Sequence, residues 1–526
     1  MPRLLCFLLA SLAAGLSLAG QGIDRIQTSD LRRDLTYISS DTLQGRLSLT
    51  PGSETAIHWI EAEFRKAGLK TSLQPVPLWE FQPNHEAGFL KIRQAGKEET
   101  FRAPDATGQY PEKVNVSGKV VFAGFGITAP ELGYDDYQGI RANGKVVVVF
   151  DHEPQETDPR SIFNGRGNTR YATIRVKALN AQAHGALAVL LAPEPNRKHP
   201  TNQERIAKIG STAQGNPHIA AEAIVRDELH IPYMSISDAA TAKLLGTPGD
   251  LQSRIDRTLT PASRDLPGVT VSLHMENSAA QRKRSFNVAG LFEGSDPKLR
   301  AETIVLSGHF DHNGADGARI WHGADDNGSG TVGVVELARA FSANTTRPKR
   351  SLLFIVFAAE ERGLLGSYYY VQHPLRPLAS TRAVVNFDMI GRDETPSRQT
   401  DGVIEIAPDT SNELNLIGTN YTPEYRKTVE QANQRIGLRL NYKWDQEASL
   451  NIFFRSDQFP FTLRGIPAVW WFTGFHPDYH QTTDTVEKID FVKMEKILKL
   501  AYLSTWEFLN EAKTPAFSPR TNQSHE

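Results

Sequence analysis

Thr303-Ile304-Val305-Leu306-Ser307-Gly308-His309-Phe310-Asp311 and Ser351-Leu352-Leu353-Phe354-Ile355-Val356-Phe357-Ala358-Ala359-Glu360-Glu361 share one design. Each is a strand-length apolar run that ends on side chains able to bind a metal or move a proton. Near-continuous apolar runs of this length predict strands covered on both faces, as in a parallel sheet. Gly328–Phe341, between them, reads as a helix, and Leu364–His373 reads as another. Ala383–Phe387 and Ala468–Phe472 are further strands, and Val492–Leu509 is a long closing helix. Strands alternating with helices from about residue 285 predict an α/β fold with a mostly parallel (mixed) central sheet flanked by helices. Ligands of such sheets collect beyond the carboxyl ends of the strands.

Upstream the texture changes. Pro51-Gly52-Ser53 opens a helix with Ile57, Ile60, Phe64 and Ala67 at helical spacing, stopped by Gly68. From about 110 to 245 the pattern is β-rich. Lys119–Phe122 and Lys145–Phe150 are compact strands after Gly118 and Gly144, Ala172–His184 is a helix ended by Gly185, and Ala186–Leu191 and Ile231–Ile236 are strands. The polar stretch Asn196–Gly215 reads as a surface loop. The division this gives is 1–20 signal peptide, 21–112 N-terminal part of the main α/β domain, 113–250 inserted module and 251–284 connector. The main part of the α/β domain at 285–512 and a disordered tail at 513–526 complete it.

The signal assignment rests on Arg3, the apolar run Leu4–Leu18 and the small residues before Gly20. That run is too short to span a bilayer. The expectation is a secreted or periplasmic chain without stable membrane insertion. The single cysteine, Cys6, falls inside the signal, which removes disulfides, thiol catalysis and cysteine–metal ligation from the mature chain. The 58 Lys+Arg against 60 Asp+Glu leave a net charge of −2, which argues against a nucleic-acid partner.

The chemistry sits at the strand ends. His309 and Asp311, Glu360 and Glu361, Asp388, and the loop with Tyr479-His480 all follow strands, and Asp325-Asp326 lie in the turn Gly323–Gly330 before a helix. Four carboxylates within a few Å of one another would repel strongly in a dry site. Two divalent ions would cancel that charge, and His with carboxylate and no thiolate suits Zn²⁺, with Co²⁺ or Mn²⁺ compatible. Ligands shared between two ions invite one bridging carboxylate, for which Asp325 on its tight turn is the candidate. Adjacent strand residues face opposite ways. For Glu360 and Glu361 to serve one site, the backbone must leave β geometry there, so that one binds metal and the other takes a proton.

These blocks resemble the co-catalytic di-zinc aminopeptidases of metallopeptidase family 28. The likeness lies in Gly308–Asp311, Gly323–Gly330, Glu360–Ser367, Asn386–Met389 and Tyr479–Thr485, in the family's order, over about 285–510, with Asp41–Leu69 resembling its N-terminal portion. The resemblance implies His309 and Asp388 on one zinc, Glu361 and His480 on the other, and Asp325 bridging. It also implies Glu360 as general base, Asp311 as the acid that orients His309, Tyr479 as an oxyanion donor, and a cis bond at Asp325–Asp326. The implied cofactors are two Zn²⁺ per chain and the implied substrates peptides with a free N-terminus. The module at about 115–245 resembles the protease-associated (PA) domain in Lys145–Phe150, Lys177–Leu191 and Ile231–Ser237. Such inserts serve as lids or as substrate and partner surfaces.

Other readings compete. A carboxypeptidase of the glutamate-carboxypeptidase type would need an arginine cluster for the substrate carboxylate, a glutaminyl-cyclase-like acyltransferase would use one zinc, and a receptor-like binding protein would need no intact Glu360. His312 and His476 are expected to face solvent or support other residues rather than ligate. Arg392 and Ser456-Asp457 are minor candidates for substrate contact, and Trp470-Trp471-Phe472 reads as strand core in which one ring could line a pocket. The sequence leaves the oligomeric state open.

Overall fold

The computed structural model describes residues 22–201, 204 and 219–519. The expected signal peptide and most of the Asn196–Gly215 loop therefore lie outside the described residues. Two sheets organise the rest. The larger has nine strands in the order Ala221–Ile224, Lys70–Pro83, Asn277–Phe292, Ser351–Phe357, Thr303–His309, Thr381–Phe387, Ala468–Phe472, Glu413–Ile417 and Arg439–Asn441. Its four central strands, Ser351–Phe357 through Ala468–Phe472, run parallel to one another. Asn277–Phe292 and Lys70–Pro83 add antiparallel strands on one side, and Glu413–Ile417 adds one on the other.

The central strands Thr303–His309 and Ser351–Phe357 are buried along their whole length. Their unbroken apolar runs leave no face for water, because helices cover both sides. Gly330–Ser342, Phe491–Asn510, Thr28–Ile38 and Pro51–Lys66 pack their apolar stripes into one shared core with the sheet. Each fully buried Leu, Val or Phe contributes about 1.5–3 kcal/mol there. The helix Gly330–Ser342 approaches the strand ends closely. A Cβ on Gly330 would lie 2.3 Å from the Phe387 carbonyl oxygen, so only glycine lets the helix start beside that strand.

The second sheet has eight strands, in the order Lys97–Phe101, Phe89–Gln94, Arg264–Met275, Val114–Phe122, Val146–Phe150, Ala188–Ala192, Tyr233–Ile236 and Ala106–Thr107. Its strands thus come from 89 through 275, a wider span than the 113–250 read from composition. Residues 251–284 are no plain connector: they hold the end of the helix Pro248–Thr258, the strand Arg264–Met275 and the start of Asn277–Phe292. The strand Ala221–Ile224, from inside the insertion, crosses over to pair with Lys70–Pro83 at the edge of the larger sheet.

The tail also departs from expectation. Residues 513–519 are placed against the body rather than disordered. Phe517 stacks on Tyr421 with ring centroids 5.4 Å apart, and the Ser518 N–H donates to the Tyr421 carbonyl at 2.8 Å. Composition alone misread this stretch because one aromatic anchor outweighs its Pro- and Ser-rich surroundings.

Candidate metal centre

Parallel neighbours bring their carboxyl ends to one edge. The register pairs His309 with Phe357, and Ser307 with Asn386. The residues that follow, Asp311, Glu360, Glu361 and Asp388, therefore emerge side by side. His309 Nε2 lies 3.5 Å from Asp388 Oδ1 and 3.7 Å from both Asp326 Oδ1 and Glu360 Oε2. Its Nδ1 faces the Asp311 carbonyl at 3.2 Å. The Ser456 hydroxyl holds the other oxygen of Asp388 at 2.6 Å and accepts from the Asn386 amide.

A second group lies beside the first. His480 Nε2 is 2.9 Å from Asp326 Oδ2 and 3.2 Å from Glu361 Oε2. His312 Nδ1 is 2.7 Å from Glu361 Oε1. At this edge two clusters are able to hold a metal, His309, Asp326 and Asp388, and His312, Asp326, Glu361 and His480, with Asp326 common to both.

The shared residue is Asp326 and not Asp325, which corrects the sequence reading by one position. The Asp325 carboxylate turns the other way. Its Oδ1 accepts the Gly391 N–H at 2.7 Å, and its Oδ2 sits 3.2 Å from His476 Nε2. Asp326, with φ −102° and ψ 99°, breaks the helical path of the turn and swings its carboxylate to the opposite side. Asp484 fixes the turn by accepting the N–H groups of Asp325 and Asp326 at 3.0 and 3.1 Å. The non-proline cis bond follows the shared aspartate, at Asp326–Asn327 rather than Asp325–Asp326. Of the two roles expected for His312 and His476, facing solvent or supporting other residues, burial leaves the second: His312 contacts Glu361 and His476 contacts Asp325.

Glu360 and Glu361 reach one site because the strand stops at Phe357 and Ala359 adopts φ +56°. The Asp311 carboxylate accepts the N–H of Glu360 at 3.0 Å and of Glu361 at 3.2 Å. Its Oδ1 stands 3.8 Å from His309 Nδ1, beyond a hydrogen bond, so Asp311 shapes the glutamate turn more directly than it orients His309. The two glutamates are pushed apart electrostatically. Burial, Asp388, Asp457 and Glu361 raise the Glu360 carboxyl well above the usual range against the pull of His309. Burial also opposes ionisation of Glu361, but His480 and His312 outweigh it and hold that carboxyl well below the usual range.

Both groups open onto a cavity of about 250 Å³ walled by Asp326, Glu360, Glu361, Asp388, Tyr479 and His480 on the polar side, with Met389, Phe454, Trp470 and Phe475 opposite. Tyr479 stacks on His480 with centroids 3.9 Å apart, and its hydroxyl accepts from Arg455 Nη2 at 3.2 Å. Trp470 is the ring of its strand that reaches the cavity, and its Nε1 donates to the Asp388 carbonyl at 2.9 Å. Arg392 is turned to Asp478 at 3.0 Å and does not line the cavity.

His309 Nε2 and Asp388 Oδ1 are buried and have no hydrogen-bond partner. Buried polar atoms are rarely left so. An imidazole nitrogen and a carboxylate oxygen converging in this way fit a divalent cation.

Sequence reasoning missed the supports. Arg46, wholly buried, donates to the carbonyls of Ile38, Phe310, His322 and Gly323 at 2.7–2.8 Å. It thereby ties the loop after His309 to the turn that carries Asp326, although burial lowers its pKa to about 10. An arginine 264 residues from Phe310 gives no signal by spacing. Asp484 stood inside a recognised block, and only its hydrogen bonds reveal its role.

Residues 287–504 match the model of peptidase family M28. Aminopeptidase YwaD of Bacillus subtilis (strain 168) is 24% identical over 512 residues, 93% of this chain and 89% of that one. A probable lipoprotein aminopeptidase, LpqL, of Mycobacterium tuberculosis is 25% identical over 463 residues, 84% of this chain and 76% of that one. Among solved structures, an aminopeptidase from Aneurinibacillus sp. strain AM-1 superposes with a TM-score of 0.51 at 20% identity, over 94% of this chain and 97% of that one. That superposition speaks for a shared fold.

Proposed function

We propose that the chain, whose residues 287–504 match the model of peptidase family M28, is an exported two-zinc aminopeptidase of that family that removes N-terminal residues from peptides. One observation carries the reading: two His/carboxylate groups share Asp326, and a further carboxylate, Glu360, stands in the wall of the same cavity. His309, Asp388 and Asp326 would hold one ion. Asp326, Glu361 and His480 would hold the other, with His312 fixing Glu361 Oε1 so that Oε2 faces the site. When bound, the zinc pair supplies Lewis acidity toward the scissile carbonyl and acidifies water near neutral pH.

The protein's own groups do the rest. Glu360, left over from the shared set, accepts the proton of the attacking water and delivers it to the leaving amine. The Tyr479 hydroxyl, held by Arg455, donates to the developing oxyanion. Tyr479 suits that role because its pKa is pushed well above the ordinary phenol value, chiefly by burial, which keeps its proton in place. The apolar wall of Phe454, Phe475 and Trp470 receives the side chain and excludes water from it.

The choice of aminopeptidase over carboxypeptidase is supported by the two relatives that bear the first name along most of their length. Among the described residues the cavity wall carries one arginine, Arg455, already engaged by Tyr479, and not a cluster. Export rests on the basic, apolar and small residues at 1–20. Aminoacyl-chromophore substrates, free and N-acetylated, test the proposal. Free substrates should be cleaved at least about 100-fold faster, chelator should abolish turnover, and Zn²⁺ should restore it. Equal rates on blocked and free substrates would overturn the aminopeptidase assignment.

A further inference from the structure

The second sheet repeats, away from the catalytic edge, the device of ligands placed after parallel strands. Val146–Phe150 and Ala188–Ala192 are parallel neighbours whose register ends at Phe150 and Ala192. The loop after the first carries His152 and Glu156, and the loop after the second carries Glu194 and His199. One ligand atom from each of these four lies within 4.8 Å of the others. Glu156 spans the pair of imidazoles: Oε1 contacts His152 Nδ1 and Oε2 is 2.9 Å from His199 Nε2. The two rings stack with centroids 4.3 Å apart.

The decisive atom is Glu194 Oε1. Its side chain is only 5% exposed, the atom has no hydrogen-bond partner, and it points at His152 Nδ1 from 3.8 Å. A buried carboxylate oxygen without a donor is costly. The separation is too long for a hydrogen bond, and it is the spacing left when two ligands face one ion.

We propose that His152, Glu156, Glu194 and His199 form a third cation site, for Zn²⁺, in the inserted region. Two imidazoles and two carboxylates complete a four-coordinate set, and the two carboxylates neutralise a divalent ion. Hard cations such as Ca²⁺ prefer all-oxygen sets, so the histidines select a transition metal. None of the four side chains is left over to act as a base, which makes the site structural. Its ion clamps the loops after two adjacent strands where the insertion meets the larger domain. Asn451 Nδ2 sits 3.2 Å from His152 Nε2, and Asn168 donates to the Ala448 carbonyl at 2.9 Å. The segment beyond Asn451 continues to Phe454 and Arg455 in the catalytic cavity.

Native mass spectrometry of the full chain, after chelation and reloading with Zn²⁺ alone, counts the ions. His199→Gln and Glu194→Gln should each carry one zinc fewer than wild type, with peptidase activity retained as proof of folding. Equal zinc in wild type and both variants would overturn the site. Diffraction from wild-type crystals at the zinc absorption edge decides the matter without any variant. An anomalous peak at about 2.0–2.1 Å from His152 Nδ1 and His199 Nε2 supports the site. A map with no peak there refutes it and leaves an ion-pair cluster only.

Discussion

In the larger sheet, the groups that follow Thr303–His309, Ser351–Phe357 and Thr381–Phe387 open onto a 250 Å³ cavity, whereas those that follow Val146–Phe150 and Ala188–Ala192 in the second sheet close on one another. Both regions draw on the same geometry, in which parallel strands deliver loop residues to one edge. The difference lies in what is left over. Around Asp326 there is one carboxylate more than the two proposed ions would need, Glu360, and a wall of aromatics. Around Glu156 the four donors satisfy one ion and nothing remains. An open site can catalyse, while a closed one can only brace.

Substitutions at the open site should break that contrast most strongly. Asp326→Asn removes the shared ligand and should cost at least about 10⁴-fold in kcat together with bound metal, as read by turnover and zinc content. Glu360→Ala should lose about 10³-fold in kcat while keeping both metals and the fold. Near-normal turnover would eliminate Glu360 as the base. Asp325→Asn separates the two aspartates: it should cost only about 10–100-fold and retain zinc, because Asp325 supports the turn through Gly391 and His476. If Asp325→Asn and Asp326→Asn behaved alike, the shared-ligand assignment would be lost.

Two further changes sharpen the account from outside the cavity. Arg46→Met strands four buried carbonyls and should lower unfolding stability by about 3–5 kcal/mol in denaturant titration. Glu222 tests the seam between the regions, since its strand comes from the insertion and pairs with the larger sheet. Burial raises its carboxyl to about 8 from 4.5, against the pull of Arg362 and the Ser48 hydroxyl, and Asp311 and Glu80 add to the rise. The folded state therefore binds the extra proton between those values. Stability is full below about pH 4.5 and falls by up to about 1.4 kcal/mol per pH unit as pH rises toward 8. Glu222→Gln should flatten that slope, leaving stability at pH 4 nearly unchanged and raising it at pH 8.

The strands, with the acids and histidines at their ends, were legible because burial on both faces writes itself as unbroken apolar runs. The glutamate turn was legible as a necessity, since two neighbouring side chains cannot share a face without leaving β geometry. Which of two adjacent aspartates faces the site was not. That choice depends on dihedral angles at Asp326 and on the grip of Asp484, 158 residues away. The partner of His312 was hidden for a related reason: only the fold brings it against Glu361. The cluster of His152, Glu156, Glu194 and His199 is split between two loops with a helix and a strand between them, so no local spacing announces it. The insertion's bounds were read too narrow because its outer strands, such as Phe89–Gln94 and Arg264–Met275, alternate polar and apolar residues like any half-exposed strand.

The most direct test of the central claim is an anomalous difference map at the zinc edge from crystals of the wild-type chain. The account predicts two peaks at the catalytic edge, one among His309, Asp388 and Asp326 and one among Asp326, Glu361 and His480, with Asp326 touching both. A single peak, or a peak held by Asp325 and His476 instead, would contradict it.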